Sequence, residues 1–259
     1  MNAAAIDLSI LWPAFLAGVL VTATHVPLGI QVLKRGIVFI DLAIAQIAGV
    51  GVILADWFGL EPQGWAVQGC ALLAALAGAL LLTWTEKRWP EVQEAMIGVC
   101  FVLAASGALL LLASNPHGAE HLKDLLVGQI LWVNRGHLAL VTLLYSVLLA
   151  ILVMRGERAG RVLFYVIFAF AVTASVQLVG LYLVFTTLIV PALATRQLTR
   201  YRVHAGYVLG AAGYALGLIV STVADLPSGP AVVWAMAGLA ILVFAITARN
   251  ARAAAGNPS

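Results

Sequence analysis

Charge is scarce in this chain. Only 10% of its 259 residues are Asp, Glu, Lys or Arg, against 63% hydrophobic residues and a mean hydropathy of +1.04. A soluble domain carries about 25% charged residues, so no water-facing shell could cover this much apolar surface, and lipid must be the solvent for most of it. Cysteine is scarce too. Cys70 and Cys100 both fall inside apolar stretches that should lie at different depths, which argues against a disulfide or a thiolate metal knuckle. No Lys or Arg precedes the first apolar run and no small-residue cleavage site stands out, so that run is expected to stay rather than leave as a signal peptide. The net charge of +3 and pI near 9.1 do not indicate nucleic acid, because the basic residues are scattered between apolar blocks instead of gathered on one face.

What the chain has in abundance is long apolar windows. A bilayer core of about 30 Å needs roughly 20 apolar residues as helix. Windows near that size, bounded by charge, Pro or Gly, run over 10–33, 37–57, 65–84, 95–113, 138–154, 162–180, 203–224 and 231–248, with a shorter one at 181–195 that touches its neighbour at Gly180. The expected fold class is all-α, a polytopic transmembrane bundle of 8–9 spans. The 181–195 segment reads as one of two shorter helices meeting inside the protein, where non-helical backbone is shielded from lipid. Lys34, Arg35, Lys87, Arg88, Arg155, Arg158, Arg161, Arg196, Arg200, Arg202, Arg249 and Arg252 occupy alternate loops or the C-terminal tail. Short loops rich in Lys and Arg stay cytoplasmic, so the N-terminus is expected outside and the C-terminus inside. No repeat, linker or low-complexity block divides the chain, which reads as one domain over 1–259 with a polar cytoplasmic tail at 251–259. Gly206, Gly210, Gly213 and Gly217 recur at helix-packing intervals, as do the Ala and Gly residues from Cys70 to Ala79; this spacing serves packing within one bundle or a dimer seam.

Polar groups inside the membrane are costly, and they form the list of candidate path residues. Asp41 and Gln46 lie in the second window, five residues and about 140° apart. Asp41 reads either as a path carboxylate or as a helix-start carboxylate paired with Lys34 or Arg35. His25 stands beside Pro27, deep in the first window, where proline frees a backbone carbonyl. It is either a ligand or proton carrier, or an imidazole hydrogen-bonded to a neighbour. Thr173, Ser175 and Gln177 could line a polar path in the sixth window, or bond to backbone and neighbouring helices.

In an outer loop, Pro116-His117-Gly118-Ala119-Glu120-His121 sets His117, Glu120 and His121 at H-x-x-E-H spacing. That is a zinc-peptidase pattern, but a glycine follows the first His and no soluble domain exists to supply a third ligand and a cleft, so no catalytic residue is expected. A low-affinity metal-gathering site at the outer mouth and a solvated polar loop both fit.

Three stretches, in order along the chain, resemble the permeases of ABC-type zinc and manganese importers, the ABC-3 metal permease family. Lys34-Arg35-Gly36-Ile37-Val38-Phe39-Ile40-Asp41, continuing to Gly51, is similar to the family's entry into its second span. Gly180-Leu181-Tyr182-Leu183-Val184 through Ile189-Val190-Pro191-Ala192 is similar to its glycine, apolar run and V/I-P-A ending. Ser221 with Asp225-Leu226-Pro227-Ser228-Gly229-Pro230 is similar to its serine and D-x-P-S-G-P turn, the most specific of the three, and it adds Asp225 to the candidate path residues. Ile97-Gly98 and Asp124-Leu125-Leu126-Val127-Gly128 match weaker positions.

The resemblance implies a homodimeric permease of the bacterial plasma (inner) membrane that binds no cofactor of its own. Zinc or manganese would be its transported substrate, and its partners a cytoplasmic ATP-binding subunit, which hydrolyses the ATP, and an extracytoplasmic metal-binding protein. Two departures accompany it. The family's usual Asp and His of the second span fall at Leu42 and Gln46, with the carboxylate displaced to Asp41, a wording that resembles a variant group carrying F-x-D-L-A-x-A-Q. The cytoplasmic segment before the sixth span, usually an ATPase-docking helix, is here only Arg-Gly-Glu-Arg-Ala-Gly-Arg from Arg155 to Arg161. Physical reasoning alone gives a bundle suited to moving something between two conformations. It leaves two alternatives open, a proton-coupled secondary carrier using Asp41 or His25 without an ATPase, and a degenerate membrane subunit that no longer transports.

Overall fold

The computed structural model describes residues 8–60, 64–112, 128, 130–133, 135–155, 160–198 and 200–255. Among these residues there are nine α-helices and no strand: α1 Leu8–Arg35, α2 Ile40–Trp57, α3 Trp65–Arg88, α4 Gln93–Leu112, α5 Arg135–Arg155, α6 Arg161–Val179, α7 Leu181–Ala194, α8 Arg202–Ala224 and α9 Ser228–Ala255. Short 3-10 turns stand at Pro90–Val92 and Ile130–Trp132. All the helices except α7 are long and apolar enough to cross a membrane. With 14 residues, α7 reaches about 21 Å, short of a bilayer core, so the short segment expected after Gly180 is a helix of its own.

Three helix junctions carry most of the sequence signature, and each has a local physical cause. α1 ends at Gly36, whose φ of 70° lets Ile37 N–H return to the Val32 carbonyl at 3.3 Å, the left-handed turn that satisfies a helix end. α8 ends on Asp225 at φ 52° and ψ 47°, with Leu226 N–H bonded to the Ser221 carbonyl at 3.0 Å. The Ser221 hydroxyl then donates to the Leu226 carbonyl at 2.6 Å, so one serine clasps both polar groups of the turn. Between α6 and α7 stands Gly180 at φ 81° and ψ 162°, a conformation essentially reserved for glycine. Gly128, at φ 69°, lies so close that a side chain on it would collide with the backbone of Val179 and Gly180.

The small residues pack the bundle internally. On α8, Gly206 and Gly210 admit Val26 and Thr22 of α1, while Gly213 and Gly217 admit Met236 and Val232 of α9. Gly51 of α2 lies against Cys70, Ala71 and Ala74 of α3, and Gly29 of α1 against the Leu188 carbonyl of α7. This close approach places α1, α2, α6 and α7 at the centre, whereas α4, α5 and α9 turn most of their apolar surface outward. Both cysteines are free thiols. The carbonyl that Pro27 leaves without an amide partner, that of Ala23, receives the Tyr207 hydroxyl from α8 at 3.2 Å. α1 stays one helix through both of its internal prolines, Pro13 and Pro27.

Candidate functional site

α2 begins without a side-chain cap of its own at Phe39. Glu94, in the first turn of α4, supplies the acceptor instead, its Oε1 taking the Phe39 N–H at 3.3 Å. Phe39 also stacks on Phe185 of α7, with ring centroids 6.4 Å apart and planes within 5°. These contacts fix the start of α2 and carry Asp41, one residue into the helix, to a position with no solvent exposure. No side chain pairs with either Asp41 carboxylate oxygen; only the helix-start amides of Asp41 and Leu42 are directed at the carboxylate. The pairing with Lys34 or Arg35 suggested by sequence proximity is therefore not made. The Arg35 guanidinium lies over the Phe164 ring of α6, 4.3 Å from its centroid. A ring face at the bundle's end lets the guanidinium keep its hydration, which following Asp41 inward would strip from it.

Gln46 is half-buried one and a half turns further along α2, so helix geometry does not bring it onto the face of Asp41.

His25 of α1 is fully enclosed and tied at both ring nitrogens. Nδ1 lies 3.0 Å from the Val21 carbonyl and 3.0 Å from Thr24 Oγ1, and Nε2 lies 3.1 Å from Ser175 Oγ of α6. With Nδ1–H donating to Val21, Nε2 is left as an acceptor facing the Ser175 hydroxyl, for whose single hydrogen the Ala171 and Val172 carbonyls, at 2.8 and 3.0 Å, compete. Tyr145 of α5 closes this node, its ring 6.5 Å from the imidazole and its hydroxyl donating to the Ala171 carbonyl at 3.1 Å. The node joins α1, α5 and α6. Gln177 is half-buried two residues beyond Ser175, about 200° round the helix and hence off that face. Thr173 is buried with its hydroxyl oxygen unpartnered. Asp225 is exposed, and its backbone forms the α8 cap described above. His117, Glu120 and His121 lie outside the described residues, among which no group of three or more His, Cys, Asp or Glu is placed to hold a metal ion.

Sequence reading missed a polar network at the same end of the bundle as Asp41. Arg161 Nε meets Glu86 Oε1 at 3.1 Å, joining the start of α6 to the end of α3. Gln93 donates to the Leu82 carbonyl at 3.0 Å and to Tyr165 Oη at 3.2 Å, and accepts the Thr85 hydroxyl at 2.9 Å. Its signal is local: Pro90 opens the 3-10 turn that starts the helix early, so that Gln93 and Glu94, which a window beginning at 95 leaves in the loop, are first-turn residues of α4.

A profile of the ABC 3 transport family matches residues 7–159 and 156–247. The chain belongs to the ABC 3 transport family. One relative of this ABC 3 chain is the high-affinity zinc uptake system membrane protein ZnuB of Haemophilus influenzae, 22% identical over 255 residues that cover 90% of this chain and 96% of that protein. A chain in the structure of PsaBC from Streptococcus pneumoniae in complex with Fab superposes with a TM-score of 0.72 at 18% identity, covering 92% of each chain. An inward-facing structure described as a metal-chelate type ABC transporter gives a TM-score of 0.70 at 15% identity, over 92% of this chain and 85% of that one. These two likenesses show the fold.

As an ABC 3 permease the chain is a multi-pass membrane protein and not itself an ATPase; the family's permeases work with an ATP-binding subunit and a substrate-binding protein. The two matched stretches meet at 156–159, inside the short Arg155 to Arg161 connection where sequence reading found the family's docking segment reduced.

Proposed function

We propose that this permease imports a divalent transition metal, zinc ahead of manganese, as a homodimer alternating access across the bacterial plasma (inner) membrane, with its N-terminus outside and its C-terminus inside. The observation that carries the reading is the end-to-end likeness to a protein named as part of a zinc uptake system. The orientation rests on the basic residues gathered at alternate connections, and it makes the short α7, which runs from Gly180 at one end of the bundle to the arginines at the other, the ninth crossing.

In the mechanism proposed, the metal is cargo and passes at low affinity from site to site. His117, Glu120 and His121 gather it at the outer mouth, their imidazoles favouring zinc. Asp41 then offers a carboxylate near the inner end, and the Gln46 amide, on another face of the same helix, serves as a separate polar contact. Asp41 suits the role because it is fully buried and neither of its oxygens has a side-chain partner. In the resting fold His25 serves as a tie between α1 and α6, which shift against each other when access alternates. Gln177 and Asp225 stand beside the path as polar lining. The partners are the cytoplasmic ATP-binding subunit and the extracytoplasmic metal-binding protein, and family membership leaves no ground for a carrier working without an ATPase.

The test is uptake of radiolabelled zinc and manganese into proteoliposomes holding the permease, its ATP-binding subunit and its binding protein. ATP-dependent zinc accumulation exceeding that of manganese is the expected result. Retained assembly with no accumulation of either metal would instead identify a membrane subunit that no longer transports.

A further inference from the structure

The charged groups at the arginine-rich end of the bundle are distributed unevenly. Around α1 to α4 and the start of α6 the cations Lys34, Arg35, Lys87, Arg88 and Arg161 are interleaved with Asp41, Glu86, Glu91 and Glu94, and Arg161 meets Glu86 directly. Around α7 to α9 there is no such compensation. Residues 181–255 contain Arg196, Arg200, Arg202, Arg249 and Arg252, and their one acid, Asp225, lies at the opposite end of α8, about 34 Å away by helix rise.

The α7–α8 turn holds its arginines in place without carboxylates. The Arg196 guanidinium lies over the Phe244 ring of α9 at 5.4 Å, and that of Arg200 over Tyr201 at 5.4 Å. Arg202 donates to the Ala192 carbonyl at 3.1 Å and closes the turn. Phe244 falls within the apolar span Ser228–Thr247, one turn from its end. Its ring is exposed, as are the ring of Tyr201 and the side chain of Leu193. The Arg196 charge thus sits at headgroup depth on the lipid-facing flank of the bundle, instead of projecting beyond the membrane toward a soluble partner. Aromatic rings and long basic side chains at this depth belong to the membrane interface.

We propose that the α7–α8 turn is a binding site for the phosphodiester headgroup of an anionic phospholipid. Arg196 and Arg200 grip the phosphate, Phe244, Tyr201 and Leu193 flank the glycerol and upper acyl chain, and Arg202 holds the turn in shape. Guanidinium forks suit phosphate oxygens, and stacking on a ring pre-orients each fork at low entropic cost. Zwitterionic lipids carry a compensating ammonium and should be held less well.

The experiment uses the permease assembled with its ATP-binding subunit in nanodiscs containing equal phosphatidylglycerol and phosphatidylcholine, with the retained lipid identified by native mass spectrometry. The expected result is retention of phosphatidylglycerol over phosphatidylcholine. Arg196→Gln and Arg200→Gln should each lower the ratio about fivefold, the scale of one basic side chain at an anionic surface, while Lys87→Gln and Arg88→Gln leave it unchanged. Three results would overturn the proposal: a ratio near one for the native protein, an equal fall in both pairs of variants, or arginine variants that lose the ATP-binding subunit while keeping the lipid ratio.

Discussion

Burying a carboxylate without a partner is costly in any protein interior, and more so where lipid surrounds the fold. Asp41 bears that cost with no side chain to offset it, fully buried, whereas Glu86 pairs with an arginine and the less buried Glu94 accepts an amide at the start of α2. The Asp41→Asn permease should fold at least as stably as the native one, because the isostere removes a buried charge while its amide oxygen still accepts from the helix-start amides, yet zinc uptake should fall by about tenfold or more. Melting and uptake measured on the same preparation check this; unchanged uptake would remove Asp41 from the path. Tyr207 is the converse case. Its hydroxyl caps the Ala23 carbonyl that Pro27 leaves open, so Tyr207→Phe should cost about 1 kcal/mol of stability with little effect on uptake, read as a lowered unfolding midpoint in detergent. Asp41 and Pro27 both stand out in the sequence as candidates, but their surroundings do not. Sequence proximity suggested Lys34 or Arg35 as the partner of Asp41, whereas Arg35, before the turn at Gly36, lies over Phe164. Tyr207, which answers Pro27, is 180 residues away along the chain.

Among elements, the junctions set the limits of substitution. Gly128 and Gly180 are both at positive φ with their backbones in contact, so Gly128→Ala adds a collision to a strained conformation. It should cost about 3 kcal/mol or more and lower the yield of folded protein. Asp225, also at positive φ but exposed, is different: Asp225→Gly should leave stability unchanged or slightly raised, since glycine prefers that conformation and the clasp by Ser221 uses only backbone groups of the turn. Comparing the two variants by size-exclusion profile and thermal unfolding tests both expectations. These junctions were legible because glycine and D-x-P-S-G-P are local signals. Helix extents followed from hydropathy to within a few residues, except at the end of α9, which runs on to Ala255 beyond the apolar window closing at 248; at the start of α4 the shift is smaller, Pro90 initiating the helix before its window opens. The glycine spacing on α8 was legible as a packing surface, but not its division between α1 and α9, which depends on where distant helices come to lie.

Taken whole, the molecule is a core of α1, α2, α6 and α7 enclosed by helices that face lipid, and α6 is joined to its neighbours at three levels. Arg161 and Tyr165 join it to α3 and α4 at one end, Ser175 joins it to His25 in the middle, and Gly180 meets Gly128 at the other end. A helix tied in this way can carry motion from the Arg155 to Arg161 connection to the far side of the bundle, which an ATP-driven permease requires. No sequence window could show those ties, because each depends on residues brought together only by the fold. The most direct test of the account is ATP hydrolysis by the complex reconstituted in nanodiscs, with and without zinc-loaded binding protein. The account predicts that hydrolysis rises severalfold with the zinc-loaded protein and that Asp41→Asn abolishes the rise while the complex stays assembled. A complex that assembles but hydrolyses ATP at the same rate with loaded and metal-free binding protein would contradict it.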